Sequence, residues 1–83
     1  MHEVSWTRRG TRDLAALCLD HPHEWPAIDV AEQDISDKLQ RQPLQHSQEV
    51  SEGLRKIISS PLVAYFSIDG NQVEVDAVGW IGL

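Results

Sequence analysis

Few residues in this 83-residue chain are of types that do chemistry, and their spacing sets what that chemistry is. Arg55 and Lys56 are adjacent in a β-rich run, and together with Arg8 and Arg9 they form the only dense basic groups. Neighbouring positions on a strand point to opposite faces, so at most one of Arg55 and Lys56 joins a given site. The ordinary fate of such a pair is one solvated cation and one that lies along the sheet edge. His21-Pro22-His23-Glu24 places two histidines and a carboxylate close together, enough for three metal ligands. No fourth ligand follows at a suggestive spacing, and His2 and His46 are distant in sequence. The segment therefore reads as a polar turn, and neither a metal nor another cofactor is expected. His46, with Arg41 nearby, is the other candidate base and reads as a loop residue. Cys18 sits in the run LAALCL and reads as a small buried hydrophobe. A nucleophilic thiol needs a base and electropositive surroundings, and Asp13 and Asp20 supply the reverse.

The elements that must position these groups follow from the apolar spacing. In His2 to Trp6, Val4 and Trp6 alternate with polar residues and predict a short strand. Thr7 is placed to cap a helix, and Gly10 weakens the first turn enough to move the predicted start to about Thr11. Leu14, Leu17 and Cys18 give that helix one apolar face, and Pro22 ends it near His21. Pro26 suits the first turn of a second helix, whose apolar positions are Ile28, Ala31, Ile35 and Leu39 and which Pro43 stops. Residues 44–52 are polar and predict a loop. Strands follow at Leu54 to Ile58 and Leu62 to Ile68, the latter with Leu62, Ala64, Phe66 and Ile68 on one face and Val63 and Tyr65 on the other. Asp69-Gly70-Asn71 is a hairpin signal. A last strand places Val73, Val75 and Ala77 on one face, opposite Glu74 and Asp76, and closes at Trp80. The expected fold is α+β, in the order β-α-α-β-β-β, with an αα-hairpin packed on a small twisted antiparallel sheet, in one domain spanning residues 1–83.

Size and charge limit the function. A chain this short buries about 60–65% of its unfolded surface, and a stability of about 5–10 kcal/mol is expected. It leaves little room for a deep small-molecule pocket, so a surface that binds a macromolecule is easier to build. The net charge of −6 is uneven: residues 1–12 carry +2, residues 13–52 carry −7 and residues 53–83 carry −1. Affinity for nucleic acid comes largely from Lys and Arg neutralising phosphates, so general nucleic-acid binding is not expected. A lone cysteine and no long apolar run predict a cytoplasmic protein without a membrane span.

The order and lengths of these segments are familiar. The opening EVSWT with its DLAAL helix, the stretch IDVAEQDISDKLQRQPL, and GLRKIISSPLVAYFSIDGNQVEVDAVGW with its apolar strand after a proline resemble the RelE/ParE superfamily. These are the toxins of bacterial type II toxin–antitoxin pairs. The resemblance implies an antitoxin partner that wraps the toxin with a helix and an added strand. It also implies one of two activities: cleavage of mRNA in the ribosomal A site, as in RelE-type members, or inhibition of DNA gyrase, as in ParE-type members.

RelE-type members activate a 2′-OH, stabilise the phosphorane and protonate the leaving oxygen with Lys and Arg on the central strands and a group near the C-terminus. By position, Lys56 falls close to one family lysine, with Arg55 beside it. The family's strand arginine falls near Val63, and Trp80-Ile81-Gly82-Leu83 supplies no proton-transfer group. The expectation is thus a toxin acting by protein binding, on gyrase or on its antitoxin alone. The alternative is a metal-independent endoribonuclease acting at the ribosome. Lys56 and Arg55 are the candidate catalytic residues, and Tyr65, Arg8, Arg9 and Trp80 the candidate binding residues.

Overall fold

A computed structural model describes residues 1–82 of the chain. Its elements are β1 (Glu3–Trp6), α1 (Arg8–Asp20), a single 3₁₀ turn (Pro22–Glu24), α2 (Trp25–Arg41), β2 (Ser47–Ser51), β3 (Leu54–Ser59), β4 (Leu62–Asp69) and β5 (Gln72–Trp80). The five strands form one sheet in the order β1-β5-β4-β3-β2. The β2–β3, β3–β4 and β4–β5 pairs are antiparallel, whereas β1 runs parallel to β5. The sheet is therefore mixed rather than wholly antiparallel. Both helices intervene before β1 meets its partner, as a parallel pair requires a long connection.

Three local expectations are corrected. Residues 44–52 are not all loop, because Ser47–Ser51 pairs with β3 as an edge strand. The strand shows no apolar alternation because almost all of it is exposed, and its backbone pairing rather than burial defines it. Helix α1 starts at Arg8, not near Thr11. Thr7 caps it, its Oγ1 accepting from the Gly10 N–H at 3.0 Å. Gly10 is buried where the helix approaches β5 closely, since a Cβ there would lie 2.7 Å from the Val75 carbonyl oxygen.

The third correction concerns β5. Tyr65 pairs with Ala77 and Phe66 with Val75, which leaves Asp76 as an extra residue, a β-bulge. Beyond it the alternation changes phase: Val73, Val75 and Val78 face the core, and Ala77 does not. Groups from α1 satisfy the irregular backbone. Thr7 N–H donates to Val75 O at 3.0 Å. Thr7 Oγ1 lies 3.2 Å from the same oxygen, and the Val78 N–H donates to Asp13 Oδ2 at 3.1 Å.

The core is Ile28, Ala31, Ile35 and Leu39 of α2 against Ile57, Leu62, Ala64, Phe66, Val73, Val75 and Val78 of the sheet. Leu14, Leu17 and Cys18 of α1 pack at its margin with Val4, Trp6, Ile68 and Trp80. Both helices lie on one face of the sheet, and the other face is left open.

Candidate binding face of the sheet

Alternation decides what the open face displays. With Ile57, Leu62, Ala64, Phe66, Val73 and Val75 turned to the helices, their strand neighbours point the other way. Cross-strand pairing sets these neighbours in four rows. Ile58, Val63 and Gly79 form the first; Gln48, Lys56, Tyr65 and Ala77 the second. Ser67, Glu74 and Ser5 form the third; Asp69, Gln72 and Glu3 the fourth.

Each row has its own character. The first is apolar, with Ile58 51% exposed and Val63 only 7% exposed although no helix covers it. Gly79 makes room for that valine, as a Cβ at Gly79 would lie 3.2 Å from Val63 Cγ1. Lys56 and half-buried Tyr65 are cross-strand partners in the second row. An open depression of about 350 Å³ beside them is lined by Gln45, His46, Ser47, Gln48, Lys56 and Ile58. The third and fourth rows carry Glu3, Asp69 and Glu74, and a second depression of about 360 Å³ is lined by Ser5, Ser67, Asp69, Gln72 and Glu74. Among the described residues none of these three carboxylates has a basic partner; Glu3 Oε2 accepts from Gln72 Nε2 at 2.9 Å. Lys56 is the one Lys or Arg among the residues of the four rows.

The other anticipated site residues lie elsewhere. Arg55 faces the helix side, in register with Phe66. Its Nε donates to Ser47 Oγ at 2.8 Å and its Nη2 to Ser47 O at 3.1 Å, so it fastens β2 to β3. Arg8 and Arg9 are exposed in the first turn of α1. Trp80 pairs with Leu62, also on the helix side, and stacks on His21 with ring centroids 3.6 Å apart and planes 6° from parallel. The structure thus brings together Lys56 and Tyr65 and adds His46, but separates both from Arg55, Arg8, Arg9 and Trp80. Alternation foreshadowed the separation of Arg55 from Lys56. The acidic rows were missed, although Glu3/Ser5, Ser67/Asp69 and Gln72/Glu74 each recur at the two-residue spacing that places them on one face.

The turn around His21 has structural work. His21 supports Trp80, and Trp25 Nε1 donates to the Cys18 carbonyl at 2.6 Å. Among the described residues no three His, Cys, Asp or Glu side chains are gathered as a metal site. The fold holds the Asp34 carboxyl below its ordinary range, first through its hydrogen bond with Lys38 and then through that with Ser59, against a smaller opposing effect of burial. Lys38 Nζ lies 2.9 Å from Asp34 Oδ2, and Ser59 Oγ donates to the same oxygen at 2.8 Å. These contacts tie α2 to β3 on the helix side, away from the open face.

Lys56 can pair with an anion, His46 can exchange a proton, and Tyr65 can stack or donate a hydrogen bond. A phosphodiester in the same place would face an uncharged aliphatic row on one side and three carboxylates on the other. A polypeptide would meet an apolar row at one end, a lysine and an aromatic side chain in the middle and carboxylates at the other end, a mixture that protein interfaces accommodate.

No protein-family model matches the chain, and no curated protein matches it. Solved structures do. The chromosomal ParDE toxin–antitoxin system from P. aeruginosa contains a chain that is similar at a TM-score of 0.78 and 21% identity, over 98% of this chain and 97% of that one. The toxin–antitoxin complex RelBE2 from Mycobacterium tuberculosis contains one at a TM-score of 0.74 and 21% identity, over 95% and 96%. YafQ from E. coli is similar at a TM-score of 0.59 and 8% identity, over 96% and 93%. The α+β architecture reached from strand order and register is therefore the fold shared with chains of the ParDE and RelBE2 toxin–antitoxin complexes.

Proposed function

We propose that this protein is the toxin component of a type II toxin–antitoxin pair and that it acts by binding protein, with the open face of the sheet as its contact surface. The observation that supports this most directly is the row Ile58-Val63-Gly79. It is apolar at the level where the family resemblance places a strand arginine; Lys56 is the single cation in the row beside it, and the two rows beyond carry carboxylates. The target is gyrase, or the activity is confined to antitoxin binding. Controlled expression without an antitoxin tests the reading. Slowed growth with a DNA-damage response and loss of supercoiling by purified gyrase is the expected result for a gyrase target. Normal growth leaves antitoxin binding alone, and codon-phased mRNA cleavage overturns the reading.

A second reading, a ribosome-dependent endoribonuclease, draws support from His46 and Lys56 lining one depression. It predicts cuts within A-site codons in a translation assay, abolished by Lys56→Ala and insensitive to chelators. Arg55→Ala serves as the comparison, since Arg55 is engaged with Ser47 on the opposite side.

A further inference from the structure

Given that the open face binds protein, its charge pattern specifies the occupant. We propose that it receives a basic amphipathic polypeptide segment, with Lys or Arg over the Glu3, Asp69 and Glu74 end and an aliphatic anchor over Ile58 and Val63. Three carboxylates share two adjacent rows, and among the described residues none is paired with a cation. Like charges so placed weaken the isolated sheet and are relieved by a cationic partner. At the other end the apolar row offers an exposed isoleucine beside an almost buried valine, a seat for a branched side chain.

The face also has a length. Val63 and Ser67 are four residues apart on β4, about 13 Å, and Val63 and Asp69 six apart, about 20 Å. A helix along β4 would thus separate its anchor from its cations by about 9 to 13 residues. Other occupants fit less well. A second copy of this chain, at net charge −6, offers a single Lys56 per face against three carboxylates. A nucleic acid would place phosphates against the same carboxylates.

The test selects random 16-residue displayed peptides on the whole protein and measures the winners by fluorescence anisotropy. They are expected to be cationic at one end and aliphatic at the other. Binding should weaken at least tenfold on Glu3→Lys/Asp69→Lys/Glu74→Lys at 50 mM salt, and less than threefold at 500 mM, because exposed charges are screened. Glu3→Gln/Asp69→Asn/Glu74→Gln should give a smaller loss in the same direction, so the charge claim survives if the reversal variant does not fold. Ile58→Arg should weaken binding tenfold, and Asp20→Lys/Asp29→Lys on the helices should leave it unchanged. Loss with Ile58→Arg but not with the charge variants overturns the basic partner while leaving the face as a protein-binding surface. Loss only with the helix variant overturns both. A dimer in sedimentation that the charge reversal dissociates makes the occupant a second copy. Tighter binding of a single-stranded RNA 12-mer than of any selected peptide makes it nucleic acid. Either result overturns the inference.

Discussion

Replacing Gly10 with alanine sets two effects of known size against each other. In an exposed helix interior the change stabilises by about 1 kcal/mol, since glycine is the poorer helix former. Here the added Cβ would meet the Val75 carbonyl oxygen at 2.7 Å, where ordinary contact begins near 3.4 Å. Helix α1 must therefore move away from β5 by about 0.7 Å, which also stretches the Thr7 N–H to Val75 O bond of 3.0 Å and the Val78 N–H to Asp13 bond of 3.1 Å. Overpacking of this kind costs about 1–3 kcal/mol, and a weakened cap adds about 1 kcal/mol. The net expectation for Gly10→Ala is a loss of about 1–3 kcal/mol, or about 4–24 °C in Tm for a domain of this size. Urea titration followed by circular dichroism measures it, with Ala15→Gly on the exposed side of the same helix as the comparison. Ala15→Gly should cost about 1 kcal/mol from propensity alone. Both variants should destabilise, although they change helix propensity in opposite directions. A Gly10→Ala protein as stable as the parent or more so would refute the close approach of α1 to β5.

Asp34→Asn should lower stability at pH 7 by about 0.3–1 kcal/mol, the range for a solvent-accessible i,i+4 pair. Because the Asp34 carboxyl is held below the ordinary aspartate value of 3.8, its contribution is present above that pH and is lost as pH falls through the still lower folded value, so parent and variant should converge in acid unfolding. Phe66→Ala removes the largest fully buried side chain and should cost about 3–5 kcal/mol, read from the urea midpoint. Ser47→Ala removes the acceptor of Arg55 Nε and should speed amide exchange along β2 while leaving β4 and β5 unchanged.

The sequence was most legible where burial imposes a period. Leu62, Ala64 and Phe66 alternate because one side of β4 meets the core, and Ile28, Ala31, Ile35 and Leu39 recur because one side of α2 does. It was least legible where backbone geometry acts without burial. Strand β2 exists through pairing with β3 and carries no apolar signature. The inserted Asp76 silently moved the core position from Ala77 to Val78, since nothing in Val73-Glu74-Val75-Asp76 announces a phase change. Gly10 looked like a weakness of the helix because its reason lies 65 residues away, at Val75. The open face was partly legible for the same reason as the core: the residues opposite a buried set must point outward. Its division into an apolar and an acidic end needed the pairing of β1 with β5.

That parallel pairing makes folding an end-to-end event. Residues 3–6 find their partners only at residues 72–75, and α1 settles on β5, which follows every other described element in chain order. Contacts of such sequence separation form late, because the loop they close must be ordered first. A chain still emerging from the ribosome without β5 has no seat for β1 or α1, and half of the open face is missing. The open face comes into being only after β5 has left the ribosome.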